Sequence, residues 1–298
     1  MAIWNELFGQ YPWLFWLTVT AVSLIVGSFL NVVIHRLPIM MERQWRAECI
    51  DGLSAEGIKV AAPHDSWPAR YNLLVPGSNC PHCQTAIPAW RNIPLVSYLL
   101  QGGKCHHCHS PISVRYPLVE LGTALLCLAI AIKLGPTELF WPTWLLAFGL
   151  VALAAIDFDK MLLPDSLTLP LLWLGLLVNL NHGFVALTDA VLGCVFGYLS
   201  LWSVFQGFKL LTGKEGMGYG DFKLLAMFGA WFGWQALLPI ILLSSIGGAI
   251  VGIALTALAK LGKGKPMPFG PWIILGGLAY LFCGEQLIDW YWHSMLGL

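Results

Sequence analysis

Residues 224–259 read LLAMFGAWFGWQALLPIILLSSIGGAIVGIALTALA, and none of them is charged. A helix crosses a bilayer with about 20 consecutive apolar residues. The run is therefore too long for one crossing, and the segment from Gly233 to Pro239 offers a break between two. Working outward, charge-free stretches recur at 7–34, 139–156, 166–188, 190–208 and 266–284. The whole chain of 298 residues is 57% hydrophobic and 11% charged. Soluble domains carry roughly 25% charged residues, so this composition belongs to the membrane class. The expected fold is an all-α polytopic membrane protein of about eight spans, near 12–36, 117–134, 140–156, 166–181, 184–207, 222–234, 237–259 and 269–292. The second is weakened by Glu120 inside it, and the sixth is unusually short.

Basic residues orient such a bundle, because loops rich in Lys and Arg stay in the cytoplasm. With eight spans, fifteen of the sixteen Lys and Arg fall on one side and only Lys133 on the other. Both termini then face outward, and loops 37–116, 157–165, 208–221 and 260–268 face the cytoplasm. The first apolar stretch lacks a basic segment before it, so it reads as an anchor rather than a signal peptide. Net charge is zero, which suggests no nucleic-acid partner. The expected organisation is a first transmembrane helix (1–36), a small cytoplasmic metal-binding domain (37–116) and a seven-helix membrane domain (117–298).

The polar segment 37–116 is small for a hydrophobic core, so a metal staple is expected in it. It carries Cys80-Pro-His-Cys83 and Cys105-His-His-Cys108, with 21 residues between the pairs. Two such knuckles suit tetrahedral zinc held by four thiolates, a closed set that leaves no position for water and is therefore structural. Two disulfides or a redox dithiol are the alternatives; a cytoplasmic location disfavours the first, and one redox pair leaves the second knuckle unexplained. His82, His106, His107 and His109 could substitute as ligands but read more simply as surface groups. Cys49, Cys127, Cys194 and Cys283 read as packing residues.

Ionisable groups at a membrane edge are functional candidates. Asp157, Asp159 and Asp165 lie together at the inner end of the third span. Asp221 lies at the inner start of the sixth, 64 positions after Asp157. Two facing carboxylates can hydrolyse a peptide bond: one, ionised, takes a proton from water, while the other, protonated, hydrogen-bonds the scissile carbonyl and then donates to the leaving amine. Such a pair titrates as a unit. Gly216, Gly218 and Gly220 leave the backbone before Asp221 bare, so that an extended substrate could approach closely. The plainer reading is a flexible loop with Asp221 as a helix N-cap. Asp165, after Pro164, reads as a cap; Asp159 as a supporting or surface group; Lys160 and Lys223 as interface anchors. Glu120, near the inner end of the second span, could join the polar site or be a simple interfacial charge.

In order along the chain, several segments resemble the type IV prepilin peptidases, a family of Gly-x-Gly-Asp membrane aspartyl proteases. They are Gly27-Ser-Phe-Leu-Asn-Val-Val-Ile-His-Arg-Leu-Pro38, Arg70-Tyr-Asn-Leu-Leu-Val-Pro-Gly-Ser-Asn-Cys-Pro-His-Cys83, Asn92-Ile-Pro94, Ser97-Tyr98 and the second knuckle. Arg115-Tyr-Pro-Leu-Val-Glu120, the acidic motif 157–165 and Gly218-Tyr-Gly-Asp221 complete the series. The resemblance implies cleavage of a short basic leader from prepilin and pseudopilin precursors at the cytoplasmic face of a bacterial inner membrane, typically after a glycine. These precursors serve type IV pili or type II secretion. It implies Asp157 and Asp221 as the catalytic pair, since the family's first aspartate stands seven positions before the Pro of its motif, here Pro164. It also implies N-methylation of the new N-terminus from S-adenosylmethionine, with loop 37–116 as the address for the donor and Glu120 as a candidate beside it. A transporter using the membrane-edge acids and a membrane-anchored zinc adaptor are the rival readings. The first lacks a relay across the bilayer and the second leaves the acids idle.

Overall fold

The computed structural model describes residues 8–58, 68, 70–181, 183–258 and 267–291. The described residues are helical, apart from turns and two isolated β-bridges. In chain order the α-helices are α1 (Pro12–Ala55), α2 (Val96–Leu100), α3 (Arg115–Leu134), α4 (Phe140–Lys160), α5 (Asp165–Leu180), α6 (Leu187–Thr212), α7 (Tyr219–Phe232), α8 (Leu237–Ala257) and α9 (Gly270–Tyr291). A helix thus occupies each of the eight expected segments. Five are long and apolar enough to cross a membrane by length and composition: α1, α3, α4, α6, and α8 with its preceding turn, Trp234–Ala257. The exterior has the same character. Trp173, Leu177, Val204, Ile250 and Ile253 are all exposed, while Thr123, Thr143, Thr168, Asn179 and Ser244 are buried. Such an inversion suits a lipid solvent, in which backbone and side-chain polar groups must be satisfied internally.

The first helix differs from expectation. It does not stop near Arg36 but passes through Pro38 and continues to Ala55. A proline in a helix interior removes one hydrogen bond and costs about 3 kcal/mol. The next turns offset that cost: Met40, Met41, Glu42, Arg43, Gln44, Arg46 and Ala47 are good helix formers. Glu42 and Arg46 pair four residues apart, as do Gln44 and Glu48 at 2.9 Å, and such pairs add a few tenths of a kcal/mol each.

The chain divides into two compact units, Met1–Ile132 and Lys133–Leu298. In the first, α1 and α3 meet at Gly27, where a Cβ would lie 3.0 Å from Cα of Glu120 and 3.2 Å from Cβ of Thr123. Small residues let membrane helices approach this closely. Asn31 completes the contact by donating to the Tyr116 carbonyl at 3.2 Å.

In the second unit α7 is the central element. From Asp221 onward nearly all its side chains are buried, including Phe222, Phe228 and Trp231. It packs backbone to backbone on α6, where a Cβ on Gly193 would meet the Gly229 carbonyl oxygen at 2.3 Å and one on Gly229 the Gly193 oxygen at 2.1 Å. Asn179, at the end of α5, ties down the far end of α7. Its amide donates to the carbonyls of Ala230 and Trp231, each at 2.9 Å, and its oxygen accepts from Phe184 and Val185 at 2.7 and 3.1 Å. With its capacity filled, a buried amide holds position rather than costing free energy. The break at Gly233 is real, with φ of 79° and a short 3-10 turn after it; Pro239 sits in the first turn of α8. At 14 residues, α7 rises only about 21 Å, less than the roughly 30 Å of a hydrocarbon core. The packing of this short helix fixes Asp221.

Candidate active site and metal centre

Asp157 lies three residues before the end of α4 and is 5% exposed. The helix closes just after it, because Met161 adopts a left-handed conformation and its amide returns to the Asp157 carbonyl at 2.8 Å. One carboxylate oxygen accepts the Gly270 amide at 3.0 Å, from the start of α9. A Cβ at residue 270 would stand 2.5 Å from that oxygen, so only glycine permits the contact. Sequence reasoning misses Gly270. The available signal is Pro268-Phe-Gly-Pro271, a rigid stretch opening the last apolar segment on the same expected side as both acids.

Asp221 is 8% exposed and is the third residue of α7. Gly218, not Asp221, is the N-cap, and its backbone is extended. Asp221 is therefore not the N-cap; from the third helical position its carboxylate accepts the Gly218 backbone amide. The first turn of a helix is electrostatically suited to a carboxylate. Asp221 lies within electrostatic reach of Asp157. The glycines differ in purpose. A Cβ at Gly220 would press on Leu163 at 2.8 Å, so Gly220 is required by packing. Gly218 has open space around its Cα and an ordinary φ of −84°, so neither packing nor conformation within the chain demands a glycine there.

Asp159 is exposed at the end of α4. Asp165 begins α5 after Pro164 and accepts both hydrogen bonds of the Lys223 ammonium, at 2.7 and 2.8 Å. That pair links the start of α5 to the second turn of α7. Being partly exposed, it contributes about 1 kcal/mol or less. Glu120 is buried in the first unit, where it accepts the Leu95 amide at 2.9 Å. Leu95 has φ of 57°, a strained value for a branched side chain, and the charge-assisted bond helps hold it.

Also in the first unit, the four knuckle sulfurs lie within 4.8 Å of one another. Cys80 and Cys108 Sγ are 3.8 Å apart, and Cys83 and Cys105 Sγ 4.0 Å. A tetrahedral ion with bonds of about 2.3 Å requires sulfur edges of about 3.8 Å. The knuckles are built alike. Each is flanked by one β-bridge, Asn79 with Ala86 and Lys104 with Pro111. Each ends in a residue of positive φ, Gln84 and His109. The amide of Cys83, then that of His82 with the Ser110 hydroxyl, outweigh burial and hold the Cys80 thiol down at about 6. A thiolate is the form that ligates metal. All cysteines are free of disulfides. His82, His106, His107 and His109 are exposed and outside the cluster. These four cysteines could hold a metal ion.

Fold and site together define a multi-pass membrane protein with two buried carboxylates in one compact unit and a four-thiolate cluster in the other. Residues 144–253 match the Type IV leader peptidase family, and residues 21–134 match the Bacterial Peptidase A24 N-terminal domain. The chain is 54% identical over 296 residues to a prepilin leader peptidase/N-methyltransferase of Aeromonas hydrophila, covering 99% of this chain and 100% of that one. It is 53% identical over 283 residues to the protein of the same name from Pseudomonas aeruginosa, covering 95% of each. To that of Burkholderia pseudomallei it is 50% identical over 262 residues, covering 88% of this chain and 83% of the relative. No solved structure matches it. The chain belongs to the type IV leader peptidase family and is an enzyme, a peptidase.

Proposed function

We propose that this enzyme removes the leader peptide from prepilin and pseudopilin precursors at the cytoplasmic face of a bacterial inner membrane, using Asp157 and Asp221. The observation that carries the reading is that these two acids, 64 positions apart in the chain, are both buried and within electrostatic reach of each other. One carboxylate, ionised, takes a proton from the attacking water. The other, protonated, polarises the scissile carbonyl and then protonates the departing amine. The open space over Gly218 supports an extended peptide lying against the backbone before Asp221. The hydrophobic stem of the precursor remains in the bilayer while its basic leader reaches the polar face, where the basic loops 37–116 and 208–221 lie in this topology.

The second activity of the relatives is assigned here to residues 37–116, together with the parts of α1 and α3 that hold them. S-adenosylmethionine, when bound, supplies a methyl group on a sulfonium sulfur; the acceptor is the amine freed by cleavage. The membrane helices after residue 116 carry the peptidase. The test is mass spectrometry of a purified prepilin incubated with the enzyme and S-adenosylmethionine. The expected result is loss of the leader followed by the gain of one methyl group. An intact precursor would sink the peptidase reading, and cleavage without methyl gain would sink the second activity.

The ion in the thiolate cluster is read as zinc with a structural role, because four sulfurs close the tetrahedron and leave no position for water. Purified protein should hold about one zinc per chain. Cys83→Ser should lose that metal and expose residues 70–114 to limited proteolysis, since so small a segment lacks a core of its own. A metal-free preparation whose loop resists protease as well as the metal-loaded protein would overturn this.

A further inference from the structure

The first unit contains a cavity of about 400 Å³, away from the thiolate cluster. One wall is a stripe of α1 holding Ile25, Ser28, Phe29, Val32 and Arg36, which share one face of the helix. The stripe rises about 16 Å, close to half of the roughly 30 Å hydrocarbon core, so it is one leaflet deep. Its apolar part opens outward, with Ile25 63% and Phe29 44% exposed. The other wall is the loop around Leu74 and Ser78, with Asn92. Arginine at the end of a span ordinarily extends its charge into the head-group region, but Arg36 is only 9% exposed. Its guanidinium is held back by the Asn72 carbonyl at 2.9 Å and lies 5.5 Å from the centre of the Tyr71 ring. Asn72 is itself fixed, because its side-chain oxygen accepts the amides of Leu74 and Val75 at 2.9 and 2.8 Å. Among the described residues no carboxylate pairs with Arg36, and no acid lines the cavity. A buried cation without a counter-charge is costly and calls for an anionic partner.

We infer that this cavity binds the head group of one anionic phospholipid, with the phosphate on the Arg36 guanidinium and an acyl chain along the α1 stripe. A guanidinium has five donors, most of them unused here, and its two-pronged fork matches phosphate oxygens. The Ser78 hydroxyl and the Asn92 amide line the same cavity and make no side-chain hydrogen bond among the described residues. They can donate to the remaining phosphate and glycerol oxygens. Basic pockets beside membrane helices hold anionic head groups by this chemistry. Charge selects the lipid. A zwitterionic head group brings an ammonium, for which the cavity has no acid, whereas phosphatidylglycerol brings one negative charge and neutral hydroxyls. A free phosphate could meet Arg36 but would leave the exposed apolar stripe uncovered. The bound lipid joins α1 to the loop that leads into the first cysteine knuckle.

The test is native mass spectrometry of the full-length enzyme, delipidated in detergent and titrated with phosphatidylglycerol, phosphatidylethanolamine or inorganic phosphate. Wild type should bind one phosphatidylglycerol about 10-fold more tightly than phosphatidylethanolamine, and the bound lipid should raise its melting temperature. Hydrogen bonds to charged groups contribute enough that Arg36→Gln should weaken phosphatidylglycerol by about 10-fold or more and erase the preference between the two lipids. Arg36→Lys, which keeps the charge but not the fork, should lie between it and wild type. Asn92→Leu, at an exposed position, should weaken phosphatidylglycerol while keeping the preference. Circular dichroism shows which variants are folded; Arg36→Lys and Asn92→Leu carry the test if Arg36→Gln is not. Suppose these two bind phosphatidylglycerol as wild type does, or wild type binds both lipids alike. Bilayer lipid then merely coats this face, and the inference is overturned. If inorganic phosphate in excess displaces the lipid from wild type, the cavity serves a soluble phosphate compound and the lipid assignment falls.

Discussion

Asp157→Asn and Asp221→Asn each lower the rate of leader cleavage by about 10²–10⁴-fold, the usual worth of a positioned acid or base. Asparagine preserves shape. At 157 its amide oxygen can still accept the Gly270 amide now held at 3.0 Å. At 221 the amide oxygen can still accept the Gly218 backbone amide. What is lost in both is the ability to carry a proton. Groups that act as a unit are grossly non-additive in their losses, so the double variant should be little worse than either single one. The melting temperature of the purified enzyme should stay at the wild-type value and show that the second unit, which holds both acids, is folded. Cleavage within a few-fold of wild type in either variant would remove the two-aspartate mechanism.

The parts of this molecule that sequence discloses are those governed by short-range rules. Lipid requires long apolar runs, so a helix sits in every expected segment. The turn at Gly233 is visible because only glycine tolerates its φ of 79°. The two cysteine knuckles are local turns, and their spacing already specifies a tetrahedral set. Where sequence falls short, the deciding contact is long-range or depends on competing local terms. Asp157 meets the Gly270 amide across 113 positions, and no periodicity marks such a contact. Asp165 reads as a cap in sequence, but its carboxylate belongs to Lys223, 58 positions away. Glu120 reads as a stray interfacial charge or a member of the acid site; its partner is the strained backbone at Leu95. In α1, Pro38 suggests an end, but the helix formers after it outweigh one missing hydrogen bond. Arg36 stands out in sequence only as a topological marker, because its hydrogen bond to the Asn72 carbonyl and its place beside the Tyr71 ring show only once its surroundings are known.

Gly270→Ala should lower cleavage by about 10²-fold, the scale expected when a reacting group is misplaced by around 1 Å. The added methyl would stand 2.5 Å from the Asp157 carboxylate oxygen and 3.2 Å from Leu163, so the carboxylate must turn away and lose its amide donor. Leu163 also lies against Gly220, 2.8 Å from the position of a Cβ there, so it has little room to yield toward α7. The two glycines therefore share one leucine as neighbour, Gly220 beside Asp221 and Gly270 beside the Asp157 carboxylate, and each must stay bare for the acids to keep their geometry. Gly218→Ala separates geometry from access. Nothing lies within 4 Å of a Cβ at that position and its φ is ordinary, so the enzyme should melt as wild type does. If the substrate backbone runs against Gly218, the alanine should raise KM for prepilin, whereas Gly270→Ala should act mainly on kcat. Wild-type kinetics in Gly218→Ala would place the peptide elsewhere, and wild-type kinetics in Gly270→Ala would mean that Asp157 needs no help from the Gly270 amide to do its work.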